Sequence, residues 1–175
     1  MKGTVITCLR EVVLKASDEA TWQACLADAK LPPFTIFTLA EDVPDAQTMA
    51  IVHAVCTRLG LSAAQAGDAF GAHWINGYAP RLYKHLFSKY KSARELFTDI
   101  NNMHDRVTRH VPDAKPPRFR LEWQTPTNLV MHYESHRGLI DIAVGMARAV
   151  GGFYGEDLVV TKVSEKSLRI IFPPA

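Results

Sequence analysis

Cysteine is scarce: Cys8, Cys25 and Cys56 are the only three in 175 residues, and they lie far apart. An odd, scattered set excludes a complete disulfide framework and offers no paired metal-ligand spacing, so a reducing cytoplasm is the expected home. Long apolar runs are missing as well. The opening MKGTVITCLREVVLK is interrupted by Arg10, Glu11 and Lys15 before it reaches signal-peptide length. Nothing later approaches the roughly 18 consecutive apolar residues that a bilayer span needs. Charge of one sign is also lacking, since 20 Lys and Arg against 18 Asp and Glu leave a formal +2. Basic residues alternate with acidic ones instead of forming a phosphate-tracking stripe, which argues against nucleic acid as a partner. The sequence has no Gly-x-Ser-x-Gly elbow, no nucleotide-binding glycine loop and no zincin histidine pair, so an enzyme of those kinds is not expected.

What remains is the composition of an ordinary globular chain, long enough for one domain that encloses a pocket. Residues 1 to about 110 read mainly as helices. Val5, Leu9, Val12 and Val13 recur at helical spacing, as do Trp22, Cys25, Leu26 and Ala29 after a break at Ser17. Leu31–Val43 is a proline-bearing connection. A helix then runs from Asp45 through Met49, Val52, His53 and Cys56 to a stop at Gly60. Ser62 with Gln65, and Ser92 with Glu95, match capping boxes and start two more helices. Arg118–Trp123 alternates strictly, Thr125–Asn128 supplies a turn, and Leu129, Met131 and Tyr133 return as a second strand. Gly138–Tyr154 carries Leu139, Ile142, Met146, Ala149 and Phe153 at helical spacing. Leu158–Val163 and Leu168–Phe172 form a second hairpin. The fold class expected is α+β, a helical first part followed by an antiparallel sheet of about four strands with a long helix between its hairpins.

Two features carry chemistry. On the helix from Ser92, Phe97, Ile100 and Val107 define an apolar face, and His104 falls on it. Pro112, Pro116 and Pro117 then end that helix. An inward imidazole is either a packed core residue or a metal ligand, and neutral imidazole is the usual nitrogen donor to haem iron. Some thirty residues later comes Tyr133-Glu-Ser135-His-Arg137. If extended, its period of two sets two hydroxyls and a guanidinium in a row, which is either an outward polar face or an array suited to carboxylates. The other histidines are less telling. His53 reads as a helix-interior residue that could equally be packed in the core, His73 as a neighbour of Trp74, His85, His110 and His136 as solvated, and His132 as out of phase with Tyr133.

Met1-Lys-Gly3, His104 within Asn101–Arg106, Pro116-Pro117 and Tyr133-x-Ser135-x-Arg137 together resemble the haem-nitric oxide/oxygen binding (H-NOX) family in order and spacing. That family includes the sensory domain of soluble guanylate cyclase and its bacterial relatives. The resemblance runs from residue 1 to about residue 172. It implies a haem b (iron protoporphyrin IX) cofactor, with His104 as the iron ligand. It further implies Tyr133, Ser135 and Arg137 on the propionates and Pro117 pressing on the porphyrin. It also implies a distal part, 1–60, and a proximal part, 61–175.

Oxygen-binding members place a tyrosine nine residues beyond the motif tyrosine. Here that position is Ile142. Leu9 and Trp74 stand at two other distal positions, and only the indole of Trp74 could donate a hydrogen bond. An apolar distal pocket of Val5, Leu9, Ile142 and Met146 places the chain, by resemblance, with the sensors of nitric oxide, which also take carbon monoxide. The implied mechanism is breakage of the iron–His104 bond on nitric oxide binding, a shift between subdomains, and a signal to a separate protein. By resemblance that protein is a histidine kinase or a cyclic-di-GMP enzyme. An oxygen sensor, and a haem-free or redox-responsive interaction module of the same fold, stay open as alternatives.

Overall fold

In the computed structural model, residues 1–109, 111 and 114–174 are described. His110 and Pro112, expected respectively as a solvated residue and as a helix stop, lie outside them. The chain divides into two compact units, Met1–Ala66 and Gly67–Ala175. No helix among the described residues is long and apolar enough to cross a membrane.

In the first unit α1 (Gly3–Ala16), α2 (Glu19–Asp28) and α3 (Asp45–Leu59) pack on one another. The Asp18 carboxylate starts α2 by accepting the Thr21 N–H at 2.8 Å. Gly60, at φ +63°, ends α3 in the left-handed conformation that glycine adopts without a Cβ penalty. The buried face of α3 is Thr48, Ile51, Ala54 and Val55. His53 is exposed, so it is not a core residue: Ile51, Ala54 and Val55 supply the apolar surface that orients α3 without it.

The division falls within α4 (Ala63–His73), which begins with the expected capping box. Gln65 N–H donates to Ser62 Oγ at 3.3 Å, and Ser62 N–H donates to Gln65 Oε1 at 2.9 Å. A π-helical turn, Trp74–Tyr78, follows, and then two one-turn helices, α5 (Ala79–Leu82) and α6 (Lys84–Phe87). These short pieces have too few residues to show a period. A single helix was expected from Ser92, but two form, α7 (Ala93–Thr98) and α8 (Ile100–Thr108), because Asp99 takes φ −102°, ψ 12°. The box at Ser92 is also only half made. Glu95 N–H donates to Ser92 Oγ at 3.1 Å, but the Glu95 carboxylate accepts from the Lys91 N–H instead.

The sheet is antiparallel in the order β1-β2-β4-β3, with β1 Arg118–Thr125, β2 Asn128–Glu134, β3 Val159–Ser164 and β4 Ser167–Ile171. Between its hairpins runs α9 (Ile140–Tyr154), stopped by Gly155 at φ +69°. The face of α9 buried in the core is Ile140, Val144, Ala147 and Val150. Of the stripe expected from spacing, Ile142 and Met146 are only half-buried on the opposite side, Ala149 is half-buried against the core, and Phe153 is exposed. A helix apolar on both sides has no single period to read.

α9 meets α4 backbone to backbone. A Cβ on Gly145 would fall 2.0 Å from the Gly67 carbonyl oxygen, and one on Gly71 would fall 2.3 Å from the Gly145 carbonyl carbon. Arg148 fixes the same contact, donating to both Asp68 carboxylate oxygens at 2.8 and 2.9 Å.

Candidate functional site

His104 sits on α8, half-buried, with Ile100 buried one turn before it and Val107 half-buried after it. Its Nδ1 lies 2.9 Å from the Pro117 carbonyl oxygen. A carbonyl only accepts, so Nδ1 carries the proton and Nε2 keeps the lone pair. Burial holds the imidazole below its usual pKa, partly opposed by the Pro117 hydrogen bond; nearby Arg118 lowers it further and Asp105 raises it. A neutral ring with an oriented Nδ1–H and a basic Nε2 is the state that ligates iron or zinc.

Pro117 therefore reaches the histidine through its backbone, and the prolines before β1 make that carbonyl a stiff acceptor. Phe119, two residues on, packs its ring 6.1 Å from His104 and 5.7 Å from Tyr133, centroid to centroid. Its own backbone is held by Asn101, whose Nδ2 donates to Phe119 O at 2.7 Å and whose Oδ1 accepts Phe119 N–H at 3.0 Å. His104, Pro117, Phe119 and Tyr133 thus form one continuous wall. Neither Phe119 nor Asn101 stood out in the sequence. Phe119 was visible only as an alternating strand residue, and Asn101 gave no signal beyond its nearness to His104.

The row of three expected at Tyr133, Ser135 and Arg137 is corrected by the structure. β2 ends at Glu134, so only the buried Tyr133 belongs to the strand, and Ser135 and Arg137 follow in a turn. There the Arg137 N–H donates to Ser135 Oγ at 3.3 Å, a hydroxyl bond that bends the chain out of the pleat. Gly138, at φ +65°, completes the bend. Arg137 Nη1 donates to Lys115 O at 2.6 Å, which brings the guanidinium to the linker that carries Pro117. The turn, rather than the pleat, gathers the motif near the histidine wall.

Trp74 lies in the π-turn, half-buried, in a ladder of rings with Phe70 at 5.6 Å and Tyr78 at 5.4 Å. Ile142 and Met146 are on the half-buried side of α9. Val5, half-buried, and Leu9, buried, lie on α1 of the first unit. Of the other histidines, His73 is half-buried at the end of α4, His85 and His136 are exposed, and His132 Nε2 pairs with Glu122 at 2.9 Å. No group of three or more His, Cys, Asp or Glu able to hold a metal occurs among the described residues.

A family model described as Haem-NO-binding matches residues 2–162. The chain belongs to the Haem-NO-binding family. Its fold is that of solved H-NOX proteins. The S. oneidensis protein in its Fe(II)NO state superposes with a TM-score of 0.87 at 18% identity, over 99% of this chain and 100% of that one. The unliganded Fe(II) protein from K. algicida gives 0.86 at 18%, over 100% and 98%. An oxygen-binding H-NOX domain related to soluble guanylate cyclases, in its oxygen complex, gives 0.81 at 19%, over 99% and 96%. Comparison with curated proteins gives no match.

Proposed function

We propose that this Haem-NO-binding protein is a haem-based sensor that takes up nitric oxide at ferrous haem b and signals to a separate effector. The observation that carries the reading is the His104 Nδ1–Pro117 O hydrogen bond, which leaves a neutral imidazole with a basic Nε2 on a helix face. The donor set fits a haem: one oriented imidazole, an aromatic wall of Phe119 and Tyr133, and hydroxyl and guanidinium groups in one turn. When bound, the haem iron supplies the coordination position at which a diatomic gas binds.

His104 is assigned as the residue that would hold the iron. Tyr133, Ser135 and Arg137 are assigned to the propionates, whose carboxylates suit a guanidinium fork and two hydroxyls. Pro117 is assigned a double part, orienting His104 through its carbonyl and touching the porphyrin through its ring. Val5, Leu9, Trp74, Ile142 and Met146 are assigned to the gas side. Ile142 offers no proton to a bound ligand, and retained oxygen needs one, so nitric oxide is favoured. α8 buries only Ile100 fully, with Met103 packed half-buried on the core and the His104 ring on Phe119, so few apolar contacts would hold it if His104 let go of the iron. The reading assigns the signal to release of the iron–His104 link and a shift of the distal part (1–60) against the proximal part (61–175), which an effector would read. A histidine kinase or a cyclic-di-GMP enzyme is the effector class assigned.

The test is replacement of His104 by Gly. The variant is expected to lose stoichiometric haem and to regain it when imidazole is supplied. A His104→Gly protein with an unchanged Soret band and no imidazole overturns the assignment.

A further inference from the structure

Of the nine residues of α8 only Ile100 is fully buried and Met103 packs half-buried against the core, so polar bonds supply much of what sets how the helix sits. On the side of His104, Asn101 grips the Phe119 backbone, and Arg118 donates to Asn101 O at 3.2 Å and pairs with Asp105. A second cluster lies elsewhere around the helix. The Asp99 carboxylate accepts from Arg106 Nη2 at 2.5 Å, Asn102 Nδ2 at 2.6 Å, Tyr90 Oη at 2.8 Å and Lys89 Nζ at 3.2 Å. Arg106 also donates to the Tyr90 hydroxyl, and Tyr90 is buried. These donors hold the Asp99 carboxyl well below the usual carboxylate range. Asp99 is also the residue whose backbone breaks the helix between α7 and α8.

Successive helix residues lie about 100° apart around the axis, so Arg106 returns to within about 20° of Asp99, while His104 stands about 140° away. Asn101 and Asp105 fall on the His104 side. The two sets of bonds therefore grip α8 from roughly opposite sides, and together they fix its rotation. Either set alone leaves a pivot. The bonds of Arg106 to Asp99 and Tyr90 run through Nη2, while its Nε is buried with no hydrogen-bond partner among the described residues.

We propose that the Asp99–Arg106–Tyr90 cluster is the positioning device for His104, fixing the rotation of α8 and hence the direction in which Nε2 is presented. It rests on the reading of His104 as iron ligand. None of the three touches the imidazole in the contacts described, so each acts through the helix and is a positioning residue.

The test compares wild type with Asp99→Leu, Asp99→Glu and Tyr90→Phe in two measurements. In the haem-free protein, amide hydrogen exchange over residues 100–108 is expected to be at least about ten-fold faster in Asp99→Leu, as loss of a charged hydrogen-bond acceptor predicts. The change is smaller in Tyr90→Phe, and exchange in the β1–β2 hairpin is unaltered. In the ferrous haem-loaded protein, the iron–histidine stretching band in the resonance Raman spectrum is expected to shift in Asp99→Leu and to stay at the wild-type position in Asp99→Glu, which keeps the carboxylate. Wild-type exchange over 100–108 in Asp99→Leu, or an unshifted band, overturns the proposal. If Asp99→Leu does not fold, Tyr90→Phe, which removes one hydroxyl and keeps the ring, decides on the same two readings. Wild-type protein that takes up no haem overturns the ligand reading instead, and the exchange data then judge the clamp alone, so the two failures are distinguishable.

Discussion

Replacing Gly145 by Ala sets two effects against each other, and the structure decides the sign. Alanine is the better helix former, worth about 1 kcal/mol over glycine in a helix interior. At Gly145, however, the added Cβ would stand 2.0 Å from the Gly67 carbonyl oxygen and 2.7 Å from the Asp68 nitrogen. Ordinary contact needs about 3.4 Å or more, so α4 and α9 must part by more than about 1 Å, against backbone that cannot rotate away. Overpacking of this kind costs about 1–3 kcal/mol, and rigid backbone on both sides points to the upper end. The net expectation is a loss of about 1–2 kcal/mol, a fall in Tm of about 2–8 °C for a chain of this size. Gly152 on the same helix is the control. A Cβ added there would meet no described atom within 4 Å, and its φ is not positive, so Gly152→Ala keeps only the propensity gain. That variant should gain up to about 1 kcal/mol, raising Tm by about 2–4 °C. Thermal melts followed by far-ultraviolet circular dichroism read both. Gly145→Ala melting at or above wild type would refute the close helix contact and everything argued from it.

Two further outcomes are expected. Tyr90 is pushed up to about 12, first by burial and then by its bonds to Asp99. Its folded pKa lies above the unfolded value, so its contribution to stability is complete below about pH 10 and is lost as pH rises from there through about 12. Denaturant unfolding across that window should fall more steeply for wild type than for Tyr90→Phe, and equal slopes would contradict the buried phenol. Ile142→Tyr supplies the hydrogen-bond donor that the half-buried side of α9 lacks, worth about 1.5 kcal/mol or more to a partly charged ligand. Haem-loaded Ile142→Tyr should hold oxygen in air longer than wild type by about ten-fold or more, followed by absorbance decay; equal lifetimes would remove Ile142 from the gas side.

Much of the fold was legible where a local signal and the tertiary outcome agree. Gly60 ends its helix as a left-handed glycine, Ser62 and Gln65 form the full capping box, and the alternation of Arg118–Trp123 marks a real edge strand. Legibility failed where tertiary bonds override local preference. Asp99 breaks an otherwise periodic helix while its carboxylate is claimed by four side chains, two of them, Lys89 and Tyr90, from the segment before α7. Ser135 and Arg137 leave the strand because a hydroxyl takes the Arg137 N–H. The Gly67–Gly71–Gly145 contact needs two helices distant in sequence, and no single segment reveals it. The candidate site was legible in His104, Pro117 and Tyr133, which carry distinctive side chains. Phe119 and Asn101 complete it through packing and backbone bonds that only the folded chain displays.

His104 is proposed to present Nε2 to haem iron in a site that favours nitric oxide. The measurement that tests it most directly is the absorption spectrum of the reconstituted ferrous protein under nitric oxide, carbon monoxide and air. Stoichiometric haem uptake, distinct Soret shifts with nitric oxide and carbon monoxide, and no stable oxygen complex in air are expected. A protein that stays colourless after reconstitution, or one that holds oxygen stably in air, would contradict it.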